Sequence, residues 1–184
     1  DKSVELGRSR GSFPSFEESV WSSKYDALRN ATVTSIAPTG TISIIANTTS
    51  SIEPIFAIAY VRQVMEGVRL IEVNPLFERI ARERGFYSES LMLRVAKSGT
   101  VRDVEEVPSD VRELFVTSLE VEPEWHVRVQ AAFQKHVDNA VAKTINLRPD
   151  APMEEVRKAF MLAYELKCKG ITVYRYGSKP TQVL

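Results

Sequence analysis

The sequence predicts an α/β fold in which short parallel strands alternate with helices. Three β-branched segments, 32–37, 142–147 and 170–174, are bounded by Gly, Pro or charged residues, as strands usually are. Long helical patterns separate these segments, so we expect no hairpin between them. Strands that are joined by long crossovers pair in parallel, which is the arrangement of α/β proteins.

Length, composition and charge indicate one globular region, or part of a larger domain. The 184 residues are 43% hydrophobic and 26% charged, which is ordinary for such a protein. A formal net charge of zero argues against a nucleic-acid-binding surface or a membrane anchor. No apolar run approaches the roughly 20 residues that span a bilayer. A single cysteine excludes a disulfide framework and favours the cytoplasm. The missing initiator Met predicts a chain cut from a longer one.

The first predicted strand leads into a turn of small and hydroxyl residues. Residues 32–43 read TVTSIAPTGTIS, in which Pro38 ends the β-branched run and Gly40 follows. Such a turn presents free backbone N–H groups at the start of the next element, which suits an anion such as phosphate. A plain connection between two elements is the alternative. The β-branched residues of 41–45 favour a strand by propensity, but phosphate binding requires a helix there, and we expect a helix.

The remaining segments predict five helices. Asn74 and Pro75 form an N-cap and first-turn pair for a helix that ends at Gly85. The others are predicted over 87–97, 109–118, 123–140 and 152–166. In the 123–140 helix, one apolar face is predicted to be packed inward, and it consists of Trp125, Val129, Ala132, Phe133, His136, Val137 and Ala140.

Five single residues have side chains of a type that can take part in catalysis or ligand binding. Cys168 lies between two lysines that could lower its pKa, although a structural thiol is the plainer interpretation. His136 lies on an apolar helix stripe, which predicts packing, and His126 lacks partners at metal-ligand spacing. Glu53 follows a small polar loop, and Tyr174 lies near the end of the third strand, where the sites of parallel sheets lie. Both are candidate pocket residues; a surface position for Glu53 and core packing for Tyr174 are the alternatives.

Several segments, spread over nearly the whole chain, carry a resemblance to a known family. They include Gly11-Ser12-Phe13-Pro14, Ala37-Pro38-Thr39-Gly40-Thr41, Ile52-Glu53-Pro54, Val73-Asn74-Pro75-Leu76-Phe77, Gln134-Lys135-His136-Val137-Asp138, Lys143-Thr144-Ile145-Asn146-Leu147 and Gly170-Ile171-Thr172-Val173-Tyr174. In these segments, their order and their spacing, the chain resembles the C-terminal part of the adenosylcobalamin-dependent (class II) ribonucleotide reductases. The family usually has a Gly-containing loop where this chain has Asn-Thr-Thr-Ser-Ser at 47–51. That departure lies next to the expected pocket and affects the details of substrate contact.

The resemblance implies a fold, a reaction and a role for the turn. The family forms a ten-stranded α/β barrel, of which residues 1–184 would be one incomplete domain with the last few parallel strands. The reaction replaces the ribose 2′-hydroxyl of a ribonucleotide by hydrogen, through a thiyl radical that adenosylcobalamin generates. The implied ligands of the substrate phosphates are Pro38, Thr39, Gly40, Thr41, Ile42 and Ser43.

The resemblance also implies what the chain lacks. The radical cysteine and its partner residues belong to upstream parts of the family sequence, so we expect no catalytic residue and no metal ligand here. The remaining barrel, in the same or a split chain, and a thioredoxin-type reductant are the implied partners. The isolated chain should be inactive. One alternative is a relative that binds nucleotides or partner chains without turnover. A glycyl-radical enzyme would need a C-terminal loop that residues 177–180 do not resemble.

Overall fold

The structure is a computed structural model that describes residues 2–63 and 69–178. Residues 179 and 180 of the C-terminal segment discussed above lie outside this described part. The elements, in chain order, are α1 Lys2–Arg10, α2 Gly40–Ala46, β1 Ala59–Gln63, β2 Arg69–Val73, α3 Pro75–Glu83, α4 Glu89–Ser98, α5 Ser109–Leu114, α6 Pro123–Gln134, β3 Thr144–Leu147, α7 Met153–Glu165 and β4 Thr172–Arg175. No helix within the described residues is long and apolar enough to cross a membrane.

The three predicted strands lie side by side, but only two of them form a regular ladder. β3 and β4 pair in parallel, with Ile145 opposite Val173. The first strand is reduced to a single parallel bridge between Ile36 and Val141. Upstream of that bridge, the N–H groups of residues 33 and 34 donate to the carboxylate of Asp138, at 2.9 and 3.1 Å, instead of to a neighbouring strand. Side-chain capping thus replaces the ladder that β propensity predicts.

A β-hairpin and an N-terminal helix were not predicted. β1 and β2 pair antiparallel, so strand pairing in this chain is not confined to the parallel crossovers. Both strands are only five residues long, and their sequences, AYVRQ and RLIEV, do not alternate between apolar and polar residues as a half-buried strand does. α1 has a polar sequence, KSVELGRSR, in which periodicity gives little signal.

Two hydrophobic clusters hold these elements together. The first joins the hairpin to α3, α4 and α5 and is centred on Phe77, which is fully buried. The second joins the parallel strands to α6 and α7 and contains Val127, Ile145, Leu147, Ala151, Ala159 and Ala163. β3 alternates between partly buried and buried residues, as a strand with one covered face does. This alternation decides where the side chain of the preceding residue, Lys143, lies.

The predicted helices exist, with shifts at their ends. Asn74 accepts hydrogen bonds from the N–H groups of residues 76 and 77, which confirms the predicted N-cap of α3. α7 matches its predicted range closely. α4 begins two residues later than predicted because Ser88 caps it. α5 and α6 end four and six residues early, at Leu114 and Gln134, where 118 and 140 were predicted.

The predicted buried face of α6 is wrong. Trp125, Val129 and Phe133 are 60%, 39% and 42% exposed, and His136 is exposed beyond the helix end. The inward face instead consists of His126, Val127, Gln130, Ala131 and Gln134. Hydrogen bonds allow polar side chains to lie inside here. The Gln130 amide nitrogen, for example, donates to the carbonyls of residues 141 and 170 at 3.1 and 2.7 Å, while its amide oxygen is buried without a partner among the described residues.

Candidate functional site

The predicted anion turn leads directly into a helix, as expected. Thr39 is the N-cap of α2 and has a left-handed backbone, with φ 52° and ψ 27°. The N–H of Ser43 donates to the carbonyl of Thr39 at 3.0 Å. Backbone N–H groups in the first turn of a helix have no partner within the helix. Those of residues 40–42 therefore remain available to a ligand.

The space in front of this turn is open. Pro38, Gly40, Thr41 and Ile42 are exposed and Thr39 is partly buried. A Cβ built on Gly40 would meet nothing within 4 Å, and this glycine does not have a left-handed backbone. The fold itself does not require glycine at position 40.

Ser43 differs from the other five predicted phosphate ligands. It is 7% exposed, and its hydroxyl donates to the carbonyl of Gly40 at 2.7 Å. Its side chain therefore stabilises the first turn of α2 from inside. The structure brings the six predicted residues together, with Ser43 behind the surface that a ligand would contact.

The loop after α2 holds Thr39 from behind. The backbone N–H of Ser51 donates to the Thr39 hydroxyl at 2.7 Å, and the Ser51 hydroxyl lies 3.4 Å from the carbonyl of Ala142. Thr39, Asn47 and Ser51 all have φ near 51°, in the left-handed region that favours glycine. Such backbone strain persists only where surrounding contacts enforce it.

Glu53 lies at the end of the same loop, in a buried ion pair with Lys143. The Lys143 Nζ is 2.5 Å from Glu53 Oε2, and the backbone N–H of Thr144 donates to Glu53 Oε1 at 2.6 Å. The side chain of Lys143 is 1% exposed and that of Glu53 is 20% exposed. Both carboxylate oxygens are therefore held by the start of β3.

His126 completes this cluster. The Lys143 Nζ donates to His126 Nδ1 at 2.7 Å and to the carbonyl of Thr144 at 2.6 Å. With Glu53, this gives the ammonium three acceptors for its three protons. His126 Nε2 lies 3.0 Å from the carbonyl of Ser118, to which it donates. These partners assign a neutral imidazole protonated on Nε2, with no nitrogen left for a metal ion.

Burial governs the protonation of this cluster. Burial, and then the charge of Lys143, lower the pKa of His126 below its ordinary value. Burial also lowers the pKa of Lys143, and the hydrogen bond and charge of Glu53 oppose this effect. The neutral imidazole accepts a hydrogen bond from the ammonium, so the two groups are compatible in one buried site.

The lowered pKa of His126 predicts an acid-sensitive fold. An unfolded histidine has a pKa of about 6.5. Below that pH, His126 therefore binds a proton in the unfolded chain but stays neutral in the folded chain, down to its lowered pKa. The free energy of unfolding therefore falls as the pH decreases through this range. Urea unfolding at pH 7.5 and 5.5 measures the effect, at a protein concentration low enough to prevent association. His126→Asn should lose part of this pH dependence, whereas His136→Asn should keep it; equal pH dependence in both variants would contradict the assignment.

Lys143 is the residue that the sequence analysis missed. In a strand, alternate residues share a face, so Lys143 falls on the same side as Ile145 and Leu147, which are buried. A lysine on the buried face of a strand requires a counter-ion. This signal was present in the sequence, but it indicates only that Lys143 has a counter-ion and does not identify Glu53.

The other candidate residues lie apart from the turn. Tyr174 is partly buried in β4, opposite Asn146, on the far side of β3 from the Ile36 bridge. Cys168 is partly buried, and burial raises the pKa of its thiol, which agrees with the structural interpretation and not with a lowering by the neighbouring lysines. His136 is exposed rather than packed. Among the described residues, no group of three or more His, Cys, Asp or Glu could hold a metal ion.

Comparison with known proteins identifies the family. A model of the ribonucleotide reductase barrel domain matches residues 1–174. The vitamin B12-dependent ribonucleoside-diphosphate reductase of Thermoplasma acidophilum is 52% identical over 182 residues, which are 99% of this chain and 24% of that protein. The protein of the same name from Mycobacterium tuberculosis is 50% identical over 99% of this chain and 26% of its own length.

A solved structure supports the same fold. The class Id ribonucleotide reductase alpha subunit of Actinobacillus ureae superimposes with a TM-score of 0.74 at 24% identity, over 95% of this chain and 31% of that one. The chain therefore spans about a quarter of the length of the relatives named above and about a third of the solved subunit. By the family match over 1–174 and the identity to both relatives, the chain belongs to the ribonucleotide reductase barrel-domain family.

Proposed function

We propose that this chain is part of a vitamin B12-dependent ribonucleotide reductase that converts ribonucleoside diphosphates to deoxyribonucleotides. The observation that carries the proposal is the 52% identity, over 99% of the chain, to a protein of that name. Residues 1–184 are then one incomplete domain, the last few parallel strands of a ten-stranded barrel with their helices. The parallel pairing of β3 and β4, with the bridge at Ile36, supports this arrangement.

In this proposal the turn at 38–43 binds the phosphates of the substrate. The free N–H groups of residues 40–42 and the exposed hydroxyl side chain of Thr41 face open space, where an anion can approach the backbone. A phosphate held at this point fixes the distance between the ribose and the radical chemistry, which occurs elsewhere in the longer protein. We assign no catalytic residue to this chain.

The described residues do not fit a cobalamin site. Both ring nitrogens of His126 are hydrogen-bonded within the protein, to Lys143 and to the carbonyl of Ser118. His136 is exposed at the end of α6, and Cys168 has a raised thiol pKa. We therefore assign no cobalamin ligand to the described residues.

The remaining barrel is the partner that the structure supports most directly. α6 and α7 expose large apolar side chains, among them Trp125, Phe133, Phe160, Met161 and Tyr164. Exposed apolar surface of this kind marks an interface, and about three-quarters of each B12-dependent relative lies outside the matched region. A thioredoxin-type reductant and a cytoplasmic location, without nucleic acid or membrane, follow from the same proposal.

The exposed apolar surface predicts that the isolated chain associates. Without the rest of the barrel, α6 and α7 would be covered by other copies of the chain. Sedimentation velocity over a range of protein concentrations should show species larger than a monomer, increasing with concentration. Trp125→Gln/Tyr164→Gln should shift the distribution toward the monomer, whereas the exposed ion-pair variant Arg157→Gln should not. A single monomeric species at high concentration would contradict the prediction.

A chimera tests the phosphate assignment in a complete enzyme. In this chimera, the matched residues of this chain replace the corresponding quarter of the Thermoplasma acidophilum protein. Calorimetric titration should show that a ribonucleoside diphosphate binds at least about tenfold more tightly than the same nucleoside, which corresponds to one charge-assisted hydrogen bond or more. Equal affinity for the two ligands would overturn the assignment of the turn as a phosphate site.

A further inference from the structure

The buried ion pair and the phosphate turn are joined by one short loop. This loop, residues 47–53, begins at the C-cap of α2 and ends at Glu53. Ser51 lies in it and donates through its backbone to the Thr39 hydroxyl at 2.7 Å. Two residues later, Glu53 receives hydrogen bonds from Lys143 and Thr144. These hydrogen bonds therefore connect Thr39 to the start of β3 through the loop.

Lys143 cannot serve as a direct ligand of a bound anion. Its side chain is 1% exposed, and its three protons are directed to Glu53, His126 and the carbonyl of Thr144. An incoming phosphate would have to displace one of these partners and leave it unpaired in the interior, at considerable cost. The charge of Lys143 acts on Glu53 instead.

Glu53 holds the loop in place by two contacts with β3. The Glu53 carboxylate accepts from the side chain of Lys143 at 2.5 Å and from the backbone of Thr144 at 2.6 Å. The second attachment of the loop, from the Ser51 hydroxyl to the Ala142 carbonyl, is a longer contact of 3.4 Å. Without the carboxylate, the longer contact between Ser51 and Ala142 would be the main attachment of the loop to this strand among the described residues.

We propose that Glu53, anchored by Lys143, is a positioning residue. Through Ser51 and Thr39, it fixes the conformation of the phosphate turn, residues 38–43. The inference rests on the proposed function of the turn. Thr39 is β-branched and has a left-handed backbone, which contacts from outside must enforce. The Ser51 N–H supplies such a contact, and Glu53 determines where Ser51 lies. The ion pair thereby orients the first N–H groups of α2 without touching the substrate.

Glu53→Gln in the chimera tests this role. The substitution keeps the size of the side chain but removes its charge and one acceptor for Lys143. We expect the affinity for a ribonucleoside diphosphate to fall by roughly tenfold, the effect of one charged hydrogen bond, with the affinity for the nucleoside unchanged. In turnover, the loss should appear in KM more than in kcat. Glu78→Gln, which breaks an exposed ion pair on α3, is the matched control and should change neither affinity.

A double-mutant cycle separates this inference from the proposed function. If Glu53 acts through the turn, Glu53→Gln should cost little further affinity once Gly40→Val has obstructed the turn, and the two effects will not add. If Gly40→Val alone has no effect, the phosphate assignment is wrong. If Gly40→Val weakens binding but Glu53→Gln does not, or if the two effects add fully, the positioning role is wrong.

A second variant covers the case in which Glu53→Gln does not fold. Glu53→Gln/Lys143→Met removes both charges and leaves no unpaired buried ion. Circular dichroism and thermal melting verify that this variant is folded. The positioning role predicts the same selective loss of diphosphate affinity in it, and retention of full diphosphate affinity would overturn the role.

Discussion

Gly40→Val is expected to weaken the binding of a ribonucleoside diphosphate to the chimera by roughly one to two orders of magnitude. The turn offers backbone N–H groups, and hydrogen bonds to a charged group contribute about 1.5–3 kcal/mol each. A Val side chain at position 40 would project into the open space in front of the turn and keep the anion away from the backbone. Isothermal titration calorimetry measures the loss directly.

The same substitution should leave the fold intact, which makes the result interpretable. Gly40 does not have a left-handed backbone, and its Cβ position is free of neighbours within 4 Å. Valine is also a better helix former than glycine at the start of α2. Gly170→Val is the matched control, because that glycine has no left-handed backbone either and its Cβ would meet only the side chain of Ala140, at 4.0 Å. Equal diphosphate affinity in the two variants would contradict the phosphate assignment.

Lys143→Met is expected to destabilise the chain by about 3 kcal/mol, toward the lower end for a broken buried ion pair. The substitution leaves Glu53 with a charge in a site where its side chain is 20% exposed, and it removes the donor that His126 Nδ1 faces. Urea unfolding at low protein concentration measures the change. Restoring neutrality with Glu53→Gln in the same chain should recover part of the loss.

A surface lysine gives the reference for this experiment. Lys158 is exposed on α7, and Lys158→Met should change the free energy of unfolding by no more than about 0.5 kcal/mol. If Lys143→Met is no more destabilising than Lys158→Met, the ion pair does not stabilise the fold.

The sequence was informative where local chemistry determines structure. Pro38, the small residues around Gly40 and the Asn74–Pro75 cap all predicted features that the structure contains, because end signals act within a few residues. The parallel pairing of β3 and β4 followed from the helix that separates them in sequence. The helix at 40–46 was predicted against propensity, since an anion turn requires it.

The errors have two physical causes. The apolar stripe of α6 was assigned to the interior, yet Trp125 is 60% exposed. Periodicity locates an apolar face, but it does not tell whether this chain or another part of a longer protein covers that face. The Glu53–Lys143 pair was missed because its partners are 90 residues apart. Long-range pairing of charges leaves no local signal beyond the lysine on the buried face of a strand.

The most direct measurement is turnover by the chimera. With adenosylcobalamin and a thioredoxin-type reductant, the chimera should convert a ribonucleoside diphosphate to the deoxyribonucleoside diphosphate, and the isolated chain should form no product. Gly40→Val should lower kcat/KM at least as much as it lowers affinity. A folded chimera that binds the diphosphate but forms no deoxyribonucleotide would contradict the proposed function and indicate a relative that binds nucleotides without turnover.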